Sequence, residues 1–168
     1  MQPAYYEFRS EEVHSDGSAT RYYTSTQHAQ GAWNAHEQHM APATGLIVAN
    51  LEVFQPRTAM RIGRISLDIL GVIHSGDCSV HTKVIRAGKT IELIEATLHT
   101  QGKTSVVARA WRMQTSNTQA VAGVEDAVQT SPADLPVWRG MQQWGGGYIR
   151  SLECRTSNTH RPGTGMLR

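Results

Sequence analysis

The chain has few cysteines, no extended basic run and a nearly balanced charge. Only two cysteines, Cys78 and Cys154, occur among its 168 residues, and they form no CxxC pair. This spacing excludes a disulfide-based scaffold and favours a reduced compartment. The formal net charge is +2, and no basic run exceeds two adjacent residues. Nothing electrostatic therefore indicates a nucleic-acid partner.

Long apolar segments and several well-known catalytic motifs are also absent. No stretch is long enough to span a bilayer, and the N-terminus carries no apolar segment behind a positive charge. We therefore expect a cytoplasmic protein with no membrane partner. The absence of GxSxG leaves an elbow serine hydrolase unsupported. The glycine triple at residues 145–147 lacks the strand-to-helix pattern and the Lys-Ser/Thr ending of a phosphate-binding loop.

What the sequence does contain is one mostly apolar helical segment followed by four strand-like runs. The segment at 42–54 begins with Pro42, which suits a first helical turn, and its composition predicts cover on nearly every side. A change of parity at Leu70 predicts a bend in the first strand. Apolar residues at both parities predict that the third and fourth runs are central strands. The runs occupy residues 61–73, 78–85, 91–98 and 105–113.

Short glycine-bearing turns join these runs and are typical of antiparallel neighbours. Two shorter strands are expected at 5–8 and 20–24, separated by the polar stretch 11–18. Residues 114–136 are rich in Ser, Thr, Gln, Ala and Pro, which indicates a linker. The pattern predicts an α+β fold, a curved antiparallel sheet wrapped around a central helix.

The order of these features resembles the hot-dog fold thioesterases, and within them the N-terminal repeat of tandem acyl-CoA thioesterases. The residues that carry the resemblance are Gly31-Ala32-Trp33, Gln38-His39, Pro42 to Glu52, Arg64 to Leu70, Gly76-Asp77, Val84 to Thr97 and Gly102 to Arg112. It implies a hot-dog domain at 1–113, a linker at 114–136 and the start of an incomplete second repeat at 137–168. In that second repeat, 148–155 would be a first strand and 163–168 the beginning of the next.

An incomplete repeat leads to two expectations. Either the chain is a shortened product, or a partner completes its sheet. A single hot-dog sheet also leaves edge strands unprotected, so we expect a homodimer or a larger even-numbered oligomer.

Thioester hydrolysis by water is the activity that the resemblance implies, with an acyl-CoA or another acyl thioester as substrate and no cofactor. Backbone N–H groups at the start of the helix would polarise the carbonyl oxygen. Glu37 would act as general base, and Gln38 or His39 would orient the water or the carbonyl. The simpler alternative is that Glu37 and His39 are solvated loop residues that introduce the helix.

Four further residues are candidates for substrate contact: Trp33, Gly45, Asp68 and Arg86. Each also has a plainer interpretation. Trp33 could pack at the start of the helix, Gly45 could lie where the helix passes closest to the sheet, Asp68 could face solvent and Arg86 could be ordinary surface charge. In the tandem enzymes that the chain resembles, the Asp, Thr and Gln that organise the water belong to the second repeat, so none is carried over.

Two other functions stay open at this point. A non-catalytic hot-dog protein could bind an acyl thioester or stabilise an assembly. A zinc enzyme could use His28, His36 and His39, although His36 and His39 are three residues apart rather than the four that place two ligands on one helix face.

Overall fold

A six-stranded antiparallel sheet curves around one long helix in the computed structural model, which describes residues 4–125 and 127–156. Its order is β1-β2-β4-β5-β6-β3. The strands are β1 Tyr6–Val13, β2 Ala19–Ser25, β3 Met60–Ile69, β4 Asp77–Arg86, β5 Ile91–Thr100 and β6 Lys103–Gln114. The long helix, α1, is Met40–Val53. The predicted α+β architecture and the central positions of β5 and β6 are confirmed.

The core lies between α1 and the concave face of the sheet. Alternate residues of the three inner strands point inward, so that β4, β5 and β6 each bury one row of apolar side chains. The largest fully buried apolar residues come from α1 and from these strands: Ile47, Leu51, Val80, Ile94, Leu98 and Val106. This packing fixes the position and direction of α1 on the concave face of the sheet, and therefore the position of its first turn.

One face of α1 is not covered, contrary to the prediction of cover on nearly every side. Ala41, Gly45, Ala49 and Val53 are spaced four apart, lie on one helix face and are exposed. No atom lies within 4 Å of the position that a Cβ on Gly45 would occupy. The expectation that Gly45 lies closest to the sheet is therefore wrong.

Two strands have limits that differ from the sequence prediction. β3 ends at Ile69 rather than near Ile73, and its register shift falls between Ile62 and Arg64 instead of at Leu70. β1 continues to Val13, through part of the stretch that was expected to separate two short strands. Its charged residues suit a strand at the sheet edge, where both faces meet solvent.

The C-terminal part folds into short elements: β7 Val137–Trp138, α2 Gly147–Ser151 and β8 Cys154–Arg155. The predicted first strand at 148–155 is therefore wrong, because α2 occupies its first four residues and only the last two lie in a strand. The strand expected at 163–168 lies outside the described residues. The division into domains at 1–113, 114–136 and 137–168 stays a prediction.

Two further observations concern the chain as a whole. Both Cys78 and Cys154 are free thiols, and Cys78 is buried in the core. Among the described helices, none is both long enough and apolar enough to cross a bilayer.

Candidate functional site

The loop between β2 and α1, residues 30–39, is held by backbone hydrogen bonds on both sides. The Gln38 N–H donates to the Ile73 carbonyl at 2.7 Å, and the His39 N–H donates to the Ala29 carbonyl at 2.7 Å. The Gly31 N–H closes the loop on the Glu37 carbonyl at 2.8 Å. The loop is therefore fixed against the end of the sheet, and it delivers Glu37, Gln38 and His39 directly to the first turn of α1.

Gln38 is buried, and both polar ends of its side chain are occupied. Its Oε1 accepts a 2.6 Å hydrogen bond from the Tyr6 hydroxyl, and its Nε2 donates to the His74 carbonyl at 2.7 Å. Burial, with a smaller contribution from Cys78, raises the pKa of Tyr6 far above its usual range, so this hydroxyl remains a donor. Gln38 thus ties the loop to β1 and to the segment before β4.

Glu37 is half-buried beside Gln38, and its carboxylate has a single protein partner among the described residues. The Asn34 side-chain amide donates to Glu37 Oε1 at 3.0 Å. Asn34 is itself fixed, since its Oδ1 accepts from the His36 N–H at 2.9 Å. One carboxylate oxygen is therefore oriented by the loop, and the other is left to meet solvent or substrate.

His39 is the residue that caps α1. Its Nδ1 accepts a 3.1 Å hydrogen bond from the Ala41 N–H. Because Nδ1 accepts, the proton of the neutral imidazole is on Nε2. Burial lowers the pKa of His39, which favours this neutral form. The side chain therefore presents an N–H donor at the start of the helix.

The N-terminal amides of α1 are less available than the sequence suggested. Ala41 donates to His39, Pro42 has no N–H, and the Ala43 N–H faces the His39 carbonyl at 3.5 Å. Among the described residues, the Met40 N–H has no protein acceptor. The first turn thus offers one free amide donor at the positive end of the helix dipole, and His39 adds its Nε2–H.

Tyr148 covers His39, a contact that no local sequence pattern indicates. The two rings stack with centroids 4.4 Å apart and planes 29° apart. The residues are more than one hundred positions apart, so no local pattern could pair them. The glycine triple just before Tyr148 was the available signal, because glycines cluster where two backbones approach closely.

The structure does not bring the four predicted substrate-contact residues together. Trp33 is 98% exposed, so it does not pack at the start of the helix. Gly45 lies on the uncovered face of α1, and Asp68 lies on the convex face of β3 opposite Val107. Arg86 Nη1 donates to the Ile91 carbonyl and so braces the β4–β5 turn. Within the described chain, no hydrogen bond or ion pair links any of the four to Glu37 or His39.

The described residues form no metal site at this loop. In residues 4–125 and 127–156, no three His, Cys, Asp or Glu side chains are grouped to hold a metal ion. His28, His36 and His39 are thus not brought together as zinc ligands. A cavity of about 10 Å³ lies beside the C-terminal end of α1, which is room for roughly one water molecule and not for an acyl chain. It is lined by Glu11, Ala19, Arg21, Asn50, Phe54 and Thr82.

Solved structures share this architecture. The PaaI protein of E. coli, from the phenylacetic acid degradation operon, has a TM-score of 0.54 and 16% identity over 67% of this chain and 81% of that chain. A phenylacetic acid degradation-related protein from Ralstonia eutropha has a TM-score of 0.52 and 14% identity, over 64% and 83% of the two chains. A thioesterase from Haemophilus influenzae has a TM-score of 0.50 and 14% identity, over 61% and 76%. Identities this low show a shared hot-dog fold alone.

Sequence comparison gives the family. A search of curated proteins found none that matches this chain. A family profile described as the acyl-CoA thioesterase N-terminal domain matches residues 29–113. That span is half of the chain, and it contains α1, four strands of the sheet and the loop that carries Glu37, Gln38 and His39. The chain therefore belongs to the acyl-CoA thioesterase family that this N-terminal domain defines.

Proposed function

We propose that this protein hydrolyses acyl thioesters, with acyl-CoA as the substrate class. The observation that carries the proposal is the family match over residues 29–113, which includes every residue of the candidate site at the start of α1. Residues 37–40 supply three groups with complementary chemistry at this end of the helix: a carboxylate on Glu37, an N–H donor on His39 and the first free amide of the helix.

In the proposed reaction, Glu37 accepts a proton from a water molecule as that water attacks the thioester carbonyl carbon. The carbonyl oxygen gains negative charge, and the Met40 N–H and the helix dipole stabilise it. The tetrahedral intermediate then expels the thiolate, which takes up the proton held by Glu37. The products are a carboxylic acid and a free thiol.

His39 rather than Gln38 is the better orienting group. Gln38 is buried, and each end of its amide already makes one hydrogen bond within the protein, so its side chain is held toward Tyr6 and His74. His39 uses only Nδ1, and its Nε2–H can donate to the carbonyl or to the attacking water. A neutral imidazole of this tautomer is a donor at Nε2 and not a base there.

Turnover of an acyl-CoA panel by the purified chain tests the proposal directly. Chains from acetyl to palmitoyl would be incubated with the protein, and free thiol would be followed with a thiol-reactive dye. We expect thiol release above the background rate for at least one chain length, unchanged by a chelator. Saturable acyl-CoA binding without thiol release would instead favour a binding protein of this fold.

A further inference from the structure

A short C-terminal segment lies across the candidate site. Residues 145–151, here called the strap, pass over the loop that precedes α1 and place Tyr148 on His39. The strap contains α2 and the glycine triple, neither of which has a role in the proposed reaction so far.

The glycines allow the strap to lie against the loop backbone. A Cβ on Gly147 would be 1.7 Å from the Gln27 carbonyl oxygen. A Cβ on Gly146 would be 2.7 Å from the Gly31 carbonyl oxygen, and Gly146 also has a φ of +93°, which favours glycine. Backbone atoms of the loop cannot move aside as a flexible side chain would. The two segments therefore fit only because these positions carry no side chain.

Specific hydrogen bonds hold the strap in register. The Gly147 N–H donates to Gln30 Oε1 at 3.2 Å, and the Tyr148 N–H donates to the Gln30 carbonyl at 3.1 Å. At the far end, the Ser151 hydroxyl lies 3.0 Å from the Tyr5 hydroxyl. The side chain of Ile149, within the strap, is buried. The contact thus combines close backbone packing, polar bonds and an apolar anchor.

The stack leaves His39 with a single orientation. The Ala41 N–H fixes one edge of the imidazole through Nδ1, and the Tyr148 ring covers one face. With an edge and a face both constrained, the opposite edge and its Nε2–H point in one direction.

We propose that Tyr148 is a positioning residue for His39, and that the strap completes the thioesterase site by holding the imidazole in its donor orientation. This inference rests on the proposed function, because it gives His39 the orienting role. The strap also covers one face of the imidazole, so substrate does not approach His39 from that face.

Four variants test the strap. Tyr148→Ala removes the ring, and Tyr148→Phe keeps the stack without the hydroxyl. Gly147→Ala displaces the strap without changing Tyr148. Gly123→Ala is the matched control, since no atom lies within 4 Å of the position that its Cβ would occupy. The pKa and tautomer of His39 would be measured by NMR, and kcat and KM by thiol release; circular dichroism would verify folding.

We expect Tyr148→Ala and Gly147→Ala to raise the pKa of His39 toward its ordinary value, because the imidazole becomes solvated. We expect kcat to fall by about 10- to 100-fold with a smaller change in KM, as misorientation of a catalytic group does. Tyr148→Phe should keep the His39 pKa and kcat at their parent values, and Gly123→Ala should change neither of them. An unchanged His39 pKa in Tyr148→Ala, or a raised pKa with unchanged kcat, would overturn the proposal.

The NMR titration of His39 and the thiol-release assay test different claims. Failure of the strap proposal can therefore be distinguished from failure of the proposed function on which it rests. If the parent chain hydrolyses no acyl-CoA, the proposed function fails, and with it the catalytic meaning of the strap. The NMR titration would still decide whether Tyr148 holds His39. A hydrolysing parent whose His39 is indifferent to Tyr148 would overturn the strap alone.

Discussion

The guanidinium of Arg112 lies 3.1 Å from the carboxylate of Glu92, with both side chains buried on the concave face of the sheet. The two residues are register partners on β6 and β5. Arg112 also donates to the carbonyls of Leu51, Phe54 and Gln55, at the end of α1. One buried ion pair thus binds the last turn of the helix, where carbonyls lack partners, to the centre of the sheet.

Removing this arginine should strongly destabilise the fold. In Arg112→Met the Glu92 carboxylate stays buried, with only Arg57 at 3.5 Å to balance it. We expect the free energy of unfolding to fall by about 3 kcal/mol, the lower end of what breaking a buried pair costs. Urea denaturation measures it. Arg61→Ala, at an exposed position on β3, serves as control and should change stability by less than about 0.5 kcal/mol. A loss in Arg112→Met no larger than this control would contradict the account.

A substitution at Gly45 is expected to increase the free energy of unfolding, whereas Arg112→Met is expected to decrease it. Because it lies in the interior of α1 with open space around its Cβ position, Gly45→Ala adds helix propensity without a clash. We expect a gain of about 0.5 to 1 kcal/mol in the free energy of unfolding. Thermal and urea denaturation would both report it. A destabilised variant would mean that this face of the helix is packed in solution.

The sequence was sufficient to predict the long helix and the antiparallel pairs β4–β5 and β5–β6, because short turns join these strands. The expectation that the turn at Gly76-Asp77 also makes β3 and β4 neighbours is wrong, since β3 pairs with β6 at the sheet edge. It failed on the orientation of α1. The helix is apolar on several sides, so its pattern does not show which face meets the sheet, and Gly45 was placed on the wrong one. Trp33 lies in a loop without periodicity, and its exposure could not be predicted.

The part of the candidate site that could be predicted is the loop before α1, because its residues are neighbours in the sequence. Glu37, Gln38 and His39 are consecutive and precede the helix, so their closeness to its first turn follows from the chain itself. The binding of Gln38 by Tyr6 and His74, and the cover of His39 by Tyr148, depend on contacts between distant segments. The short apolar alternation near Tyr148 predicts a strand, whereas glycine-dependent packing against the loop accompanies a helical turn at Gly147–Ser151.

A histidine pair on the sheet makes stability depend on pH. The Thr20 hydroxyl lies 2.9 Å from His14 Nε2 and 3.0 Å from His81 Nδ1. Burial, and then the neighbouring His14 and Lys83, lower the pKa of His81 below its ordinary value. As the pH falls through the interval between the unfolded and folded pKa values, the unfolded chain binds more protons, so the free energy of unfolding decreases.

We therefore expect the protein to be less stable at pH 5.5 than at pH 8, and His81→Gln to show a smaller difference between the two. Urea denaturation at both pH values would measure the change. An identical pH dependence in parent and variant would exclude His81 as a source.

Association should protect the edge strand β3. Its backbone pairs with β6 on one side only, and three apolar residues at or just after its end are exposed: Ile69, Leu70 and Val72. Unpaired edges with apolar side chains favour pairing with a second copy. We expect a dimer or larger even oligomer by light scattering at micromolar concentration, weakened in Leu70→Lys. A folded monomer at that concentration would contradict this prediction.

The role of Glu37 as general base is the central claim, and the turnover number of Glu37→Gln tests it most directly. The substitution keeps the size of the side chain and removes the proton acceptor. With the acyl-CoA that the parent hydrolyses fastest, kcat should fall by about 100-fold while folding is unchanged. Glu52→Gln, at an exposed position on α1, should retain the parent kcat. A Glu37→Gln protein that releases thiol as fast as the parent would contradict the account.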